Sequence, residues 1–301
     1  MSATPKQIQV AIILMNRDRP ELADAVYERV QTFAPDIRKT CYVIEAGSNK
    51  QTGCSKYMTH WFRDPDYRGR YYAFNQGLKH VMADEEKGGF RYDYVWFLVN
   101  DIIFPEGQDT LTELVAVMEE NPTLAQFAPG EPGVDDYHGC EPKPGRRWHK
   151  ASTIHGLAIL MSRKAIEEVG YCNPVFHYSQ GAGTELAYLL YKSGWCIGYS
   201  DVVTLEHAGG STYGKVTKIS RHEYQRRARK FASTYLAEHY GENWDELFAT
   251  VLPPDVETNN YPWQKDVWNK ELPQEKRFQW FWKAGSFVKR KILRIGSKEV
   301  A

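Results

Sequence analysis

The chain has 301 residues with 38 basic and 38 acidic side chains, a balance that excludes a protein coating nucleic acid with one basic surface. That length suffices for one large α/β domain, with or without an appendage, around a core that needs no covalent staple. Five cysteines, odd in number, widely spaced and without a CxxC pair, suggest neither a disulfide framework nor a zinc knuckle and fit a reducing, cytoplasmic setting. In chain order, the first element is the β-branched run Ile8 to Met15, the pattern of a strand buried on both faces, and no charged leader region precedes it. Pro20 then opens a helix to Phe33, with Leu22, Val26, Val30 and Phe33 at helical spacing behind a proline suited to the first turn. Thr40 to Gly47 reads as a second strand, Tyr72 to Met82 as a helix, Asp84 to Gly89 as a break, and Tyr92 to Asp101 as a third strand.

Leu111 to Glu120 reads as a helix that stops at Asn121-Pro122, and the stretch from Pro129 to Lys150, rich in Gly, Pro, His and Trp, as a long active-site loop. Ile154 to Ser162 is apolar and leads into a helix ending at Gly170. A helix from Thr184 closes at Gly194, and Trp195 to His207 completes the sheet region. Arg221 to Gly241 reads as a solvated amphipathic helix. Strand, helix, strand, helix, strand is the order of a doubly wound parallel sheet, so the expected architecture is α/β, Rossmann-like, with helices on both faces. Composition shifts after Leu252-Pro253-Pro254, so a domain of residues 1–252 and a helical appendage of residues 253–301 are expected. The appendage places Trp280, Phe281, Trp282, Phe287, Ile292 and Leu293 among lysines and arginines, with no acid between Arg277 and Lys298. That composition suits either a peripheral membrane contact or docking on the domain through the same tryptophans. No stretch has the uninterrupted apolar length of a membrane-spanning helix.

Ligands of a parallel sheet gather beyond the carboxyl ends of its strands. Four sets of residues lie at such ends: Asn16 to Glu21, Glu45 before a Gly-Ser turn, Asn100-Asp101, and His207 before Gly-Gly-Ser. Glu45 can accept a hydrogen bond from a nucleobase or a ribose. Asp101 offers carboxylate oxygen to a hard cation, and His207 a second ligand or a phosphate contact. Each also has a plain structural reading as a turn, cap or hydrogen-bonded residue.

Taken in order, these signals over about the first seven-tenths of the chain resemble family 2 of the GT-A glycosyltransferases. Asn16 to Glu21 resembles the family's Asn-Arg-Pro-Glu-like run at the first strand. Glu45 to Lys50 falls on its Asp-Asp-Gly-Ser-Thr-Asp turn, Arg70 with Ala73, Asn75 and Gly77 on its Arg and Ala-x-Asn-x-Gly, and Val99 to Asp101 on its Asp-x-Asp metal motif, of which only the last aspartate is kept. The resemblance implies a transferase that takes a sugar from a nucleoside-diphosphate sugar with Mn²⁺ or Mg²⁺ on Asp101 and His207. It places the donor on Asn16, Asp18, Glu45, Arg70, Asn75 and Asn100. The acceptor is then a glycan, with a lipid-linked one suggested by the terminal segment, and polysaccharide biosynthesis is the expected setting. Asp135, Asp136, Tyr137 and Trp148 in the long loop are expected on the acceptor side, with His138 and His149 beside them.

One departure is plain. Inverting members carry Glu-Asp-x-Asp-Leu before the helix that ends Gly-Trp, yet here Ala182 and Gly183 stand at the Glu-Asp positions and Glu185 at the last Asp. The general base is then Glu185, or Asp135 or Asp136, or the chain does not invert in the usual way. Two rivals remain: a catalytically silent glycan-binding or scaffold protein, and a sugar nucleotidyltransferase, although the glycine-rich, lysine-containing triphosphate signature at the first strand is absent.

Overall fold

The computed structural model describes residues 7–66, 68–133, 139–176, 180–208 and 221–256. The elements run β1 (Gln9–Asn16), α1 (Pro20–Gln31), β2 (Arg38–Ala46), β3 (His60–Phe62), α2 (Arg70–Gly88), β4 (Tyr94–Val99), β5 (Ile102–Ile103), α3 (Thr110–Glu120) and β6 (Leu124–Gly130). They continue with β7 (Trp148–Lys150), β8 (Ala158–Ser162), α4 (Arg163–Val169), α5 (Ala182–Lys192), β9 (Cys196–Thr204), β10 (Glu206–His207), α6 (Arg221–Tyr240) and α7 (Trp244–Ala249). Eight strands form one sheet in the order β3-β2-β1-β4-β8-β6-β9-β7, and β10 pairs with β5 in a separate ribbon.

Strands β3, β2, β1 and β4 are mutually parallel, as are β6 and β9, while β8 and β7 run against their neighbours. The mostly parallel α/β sheet expected from the sequence is therefore present. Its centre is β1, where Val10 to Leu14 have no exposed surface because helices cover one strand from both faces. Each such Ile or Leu removed from water contributes about 1.5–3 kcal/mol before ordering costs. Helix α2 lies so close on β1 that a Cβ on Gly77 would sit 2.5 Å from Ile13 Cγ2, so only glycine fits there.

Several expectations are corrected. The acidic stretch after Met82 does not break the chain: α2 runs to Gly88 and ends where Gly89 takes φ 63°, the left-handed cap. Asp, Glu and Lys are adequate helix formers, and Glu85 is moreover buried against Arg163 of α4 at 2.8 Å. Residues 129–150 are not all loop, because β6 runs into Pro129-Gly130 and β7 occupies Trp148–Lys150. Helix α6 is amphipathic as expected, with Tyr224, Ala228, Ala232 and Leu236 buried at helical spacing. At the far end of the described chain Val256 is still buried and Asp255 accepts from Lys150 at 3.0 Å. The appendage of residues 253–301, with its membrane reading, lies almost wholly outside the described residues. Among the described residues no helix is long and apolar enough to cross a membrane.

Candidate functional site

Parallel pairing aligns the ends of β1, β2 and β4, putting Asn16 opposite Glu45 and Met15 opposite Val99. The polar residues that follow the apolar runs thus collect at one edge. Asn16 and Glu45 are fully buried and Asn100 is 5% exposed. The Asn16 amide donates to both Glu45 oxygens at 3.1 and 2.9 Å and to the Gly53 carbonyl at 3.0 Å, while its own oxygen accepts from Asn100 at 2.6 Å. Ser48 and the Ser55 amide complete the Glu45 carboxylate. Three of the expected donor residues are thereby joined, and both Glu45 oxygens already have partners within the fold.

The loop of residues 47–59 is fixed from several directions. Asp18, at φ 51°, accepts from the Asn49 amide at 2.7 Å and its own amide donates to Ser48, so Asp18 braces the turn. Beyond it, the 3%-exposed side chain of Asp64 receives Arg17 at 3.1 Å and Arg68 at 3.2 Å. The Arg68 guanidinium lies 3.7 Å from the centroid of the Tyr72 ring, and Lys50 lies 4.1 Å from that of Trp61. Arg17 belongs to the run singled out at the first strand, but Asp64, Arg68 and Trp61 were not singled out from the sequence, where nothing marks a carboxylate shared by arginines 47 and 4 positions away.

The pair expected to hold a cation is brought together. Antiparallel pairing sets His207 opposite Ile102, the Ala208 amide donates to the Asp101 carbonyl at 3.0 Å, and His207 Nε2 reaches 3.3 Å from Asp101 Oδ2. One carboxylate oxygen and one imidazole nitrogen, both partly exposed, converge as two ligands of a divalent cation do, and the O/N donor set suits Mn²⁺ or Mg²⁺.

Other expected residues take different surroundings. Arg70, at the start of α2, lies with its guanidinium 5.2 Å from the Tyr71 ring and would stand 2.5 Å from a Cβ on Gly156. Burial holds the Tyr71 phenol high, at about 12, against the opposing pull of Arg70. Gly183, at the family's base position, faces the Tyr71 hydroxyl: a Cβ there would sit 2.9 Å from it. Asn75 donates to the Cys172 carbonyl at 2.6 Å, which ties α2 to the loop after α4. Glu185 is 4% exposed; Tyr240 of α6 donates to it at 2.9 Å, and burial raises its carboxyl above the ordinary range. Trp148, on edge strand β7, packs edge-on to Phe127 and over Gly198. Four strand steps separate β7 from β4, or roughly 19 Å at ~4.8 Å per step. His149 is held through both ring nitrogens by Asp201 and the Gly139 carbonyl. Asp135, Asp136, Tyr137 and His138 lie outside the described residues.

The sequence reading also missed Glu131, Cys140 and His155. Glu131 directly follows β6, and His155 lies in the loop before β8, which starts at the same sheet edge because it runs antiparallel. His155 Nε2 stands 3.2 Å from Glu131 Oε2, burial raises the Glu131 carboxyl, and His207 opposes that shift. The strand-end rule finds Glu131 once β6 is recognised; Pro129 hid that strand.

No protein-family model matches the chain, and no curated protein matches it in sequence. Solved structures do. The mannosyltransferase PcManGT from Pyrobaculum calidifontis, in complex with GDP-Man and Mn²⁺, superposes with a TM-score of 0.54 at 16% identity over 83% of this chain and 73% of that one. GalNAc-T7 with UDP, GalNAc and Mn²⁺ gives 0.51 at 12% identity over 82% of this chain, which spans about half, 55%, of GalNAc-T7. The fold is the GT-A glycosyltransferase fold.

Proposed function

We propose that this chain is a metal-dependent glycosyltransferase that moves a sugar from a nucleoside-diphosphate sugar to a glycan hydroxyl. The observation that carries this reading is the approach of His207 to Asp101 at 3.3 Å beside the buried Asn16–Glu45–Asn100 network. Mn²⁺ or Mg²⁺ bound to that pair would neutralise the charge that develops on a departing diphosphate. Asn100 and Asn16 fix the backbone that presents Asp101, and the two-stranded ribbon fixes His207. Glu45 and Asp18 hold the 47–59 loop in shape for the nucleoside, and Arg70 supplies permanent positive charge toward the diphosphate.

For deprotonation of the acceptor we put forward Glu185. A buried carboxylate with a raised pKa suits a general base, and its bond from the Tyr240 hydroxyl supports a carboxylate able to accept from a hydroxyl group. The same bond, with Gly183 against Tyr71, favours a second reading, a silent glycan-binding protein on this fold. An acceptor anchored in lipid accords with the aromatic and basic composition of residues 277–298.

Calorimetry with GDP and UDP, each with and without Mn²⁺, and turnover on their sugar derivatives decide between the readings. A transferase binds at least one diphosphate in a Mn²⁺-dependent manner and turns over its sugar, and Asp101→Ala lowers turnover by about a hundredfold or more. Binding without turnover favours the silent protein. Turnover unchanged in Asp101→Ala refutes the metal assignment.

A further inference from the structure

Glu131, Cys140 and His155 form the only group of three such side chains among the described residues whose ligand atoms lie within 4.8 Å of one another, and all three are buried. They come from separate places: the end of β6, the far side of the 134–138 segment, and the loop before β8. The Glu131 amide donates to the Cys140 carbonyl at 2.9 Å, and Tyr199 accepts from the His155 amide at 2.7 Å. The backbones that carry the three ligands are thus held by the sheet and its edge.

We propose that Glu131, Cys140 and His155 bind a zinc ion, separate from the cation assigned to Asp101 and His207. Two ligands at about 2.0–2.1 Å from one ion in a tetrahedral arrangement stand about 3.4 Å apart. The 3.2 Å between His155 Nε2 and Glu131 Oε2 is close to that edge. A sulfur ligand distinguishes this set from the oxygen and nitrogen pair nearby: thiolate, imidazole and carboxylate together select Zn²⁺ over Mn²⁺ or Mg²⁺. On binding, the proton of the Cys140 thiol and any proton on Glu131 or His155 pass to solvent as H⁺, leaving a thiolate, an imidazole and a carboxylate as three protein ligands with a water in the fourth position. Its effect is to clamp both ends of the loop between β6 and Cys140 to the edge that carries Asp101. The inference does not depend on the transferase reading.

The test uses the full chain, purified with ZnCl₂ and dialysed, with metal measured by mass spectrometry. About one zinc per chain is expected. Asp101→Ala and His207→Ala retain it, whereas Cys140→Ser and His155→Ala lose it by more than about tenfold, with circular dichroism reporting their folding. Cobalt substitution gives an independent readout: the wild type shows a thiolate-to-cobalt charge-transfer band that Cys172→Ser keeps and Cys140→Ser loses. Zinc far below one per chain with no such band overturns the proposal, as does equal zinc in Cys140→Ser. Loss of zinc in Asp101→Ala overturns it too, since one shared site would then explain everything. Should the Cys140 and His155 variants fail to fold, the cobalt spectrum of the wild type and its Cys172→Ser control decide alone.

Discussion

Asn16 links Glu45, the Gly53 carbonyl and Asn100 in one buried network. Its amide NH₂ neutralises none of the charge on Glu45 yet satisfies both oxygens of that fully buried carboxylate, and its oxygen fixes Asn100. Exchange of that donor for an acceptor isolates the cost. Asn16→Asp sets a second carboxylate about 3 Å from the first, so one of them must bind a proton to stay in the fold. Its pKa is then raised, and stability is lost as pH rises through that raised value. Urea unfolding of Asn16→Asp is expected to show a loss of about 3 kcal/mol near neutrality that shrinks on acidification. A pH-independent loss would mean that the amide matters only by its shape.

At the scale of elements, two contacts between helices bear on stability. Arg163 and Glu85 join α4 to α2 with both side chains nearly buried. Removing one partner of such a pair leaves an uncompensated charge, so Glu85→Ala is expected to cost about 3–5 kcal/mol in chemical denaturation, far more than an exposed pair. Between α5 and α6, Glu185 has its carboxyl raised by burial, against the opposing hydrogen bonds of Tyr240 and Asn173 and the charge of His239. A raised acid favours the fold below its ordinary value, and that advantage drains as pH rises through the folded value. The thermal midpoint of Glu185→Gln should therefore gain on the wild type as pH rises across that window and level off above it. The opposite slope would show that the ionised carboxylate is the preferred form. These contacts also explain what the sequence hid. The continuous apolar runs of β1, β2 and β4 and the proline-led α1 were legible because local pattern and burial agree there. Glu85 looked like part of a polar break because its partner is 78 residues away. Strand β6 was lost to Pro129, and β7 is three residues long. In the candidate site, Asp101 and His207 were legible as strand-end residues. Glu131 and His155 were not, since only the reversed direction of β8 brings them together.

Over the whole molecule, Val256 is still buried at the end of the described chain, ahead of the basic and aromatic segment. A fragment of residues 1–256 is expected to fold and to bind nucleoside diphosphate as the full chain does. In vesicle sedimentation the full chain should associate with anionic vesicles, less so with rising salt, while the fragment stays in solution. Equal partition of the two would remove the membrane reading and leave docking on the domain as the role of residues 277–298.

The hydrogen bond from the Ala208 amide to the Asp101 carbonyl, continued by two residue pairs between β10 and β5, has a further consequence. It couples two parts of the chain more than a hundred residues apart with main-chain bonds, independent of side-chain identity. Replacing His207 would thus delete a ligand without releasing the strand that bears it, so a smaller side chain there leaves a shaped vacancy. Added imidazole should enter that vacancy and restore part of the lost turnover.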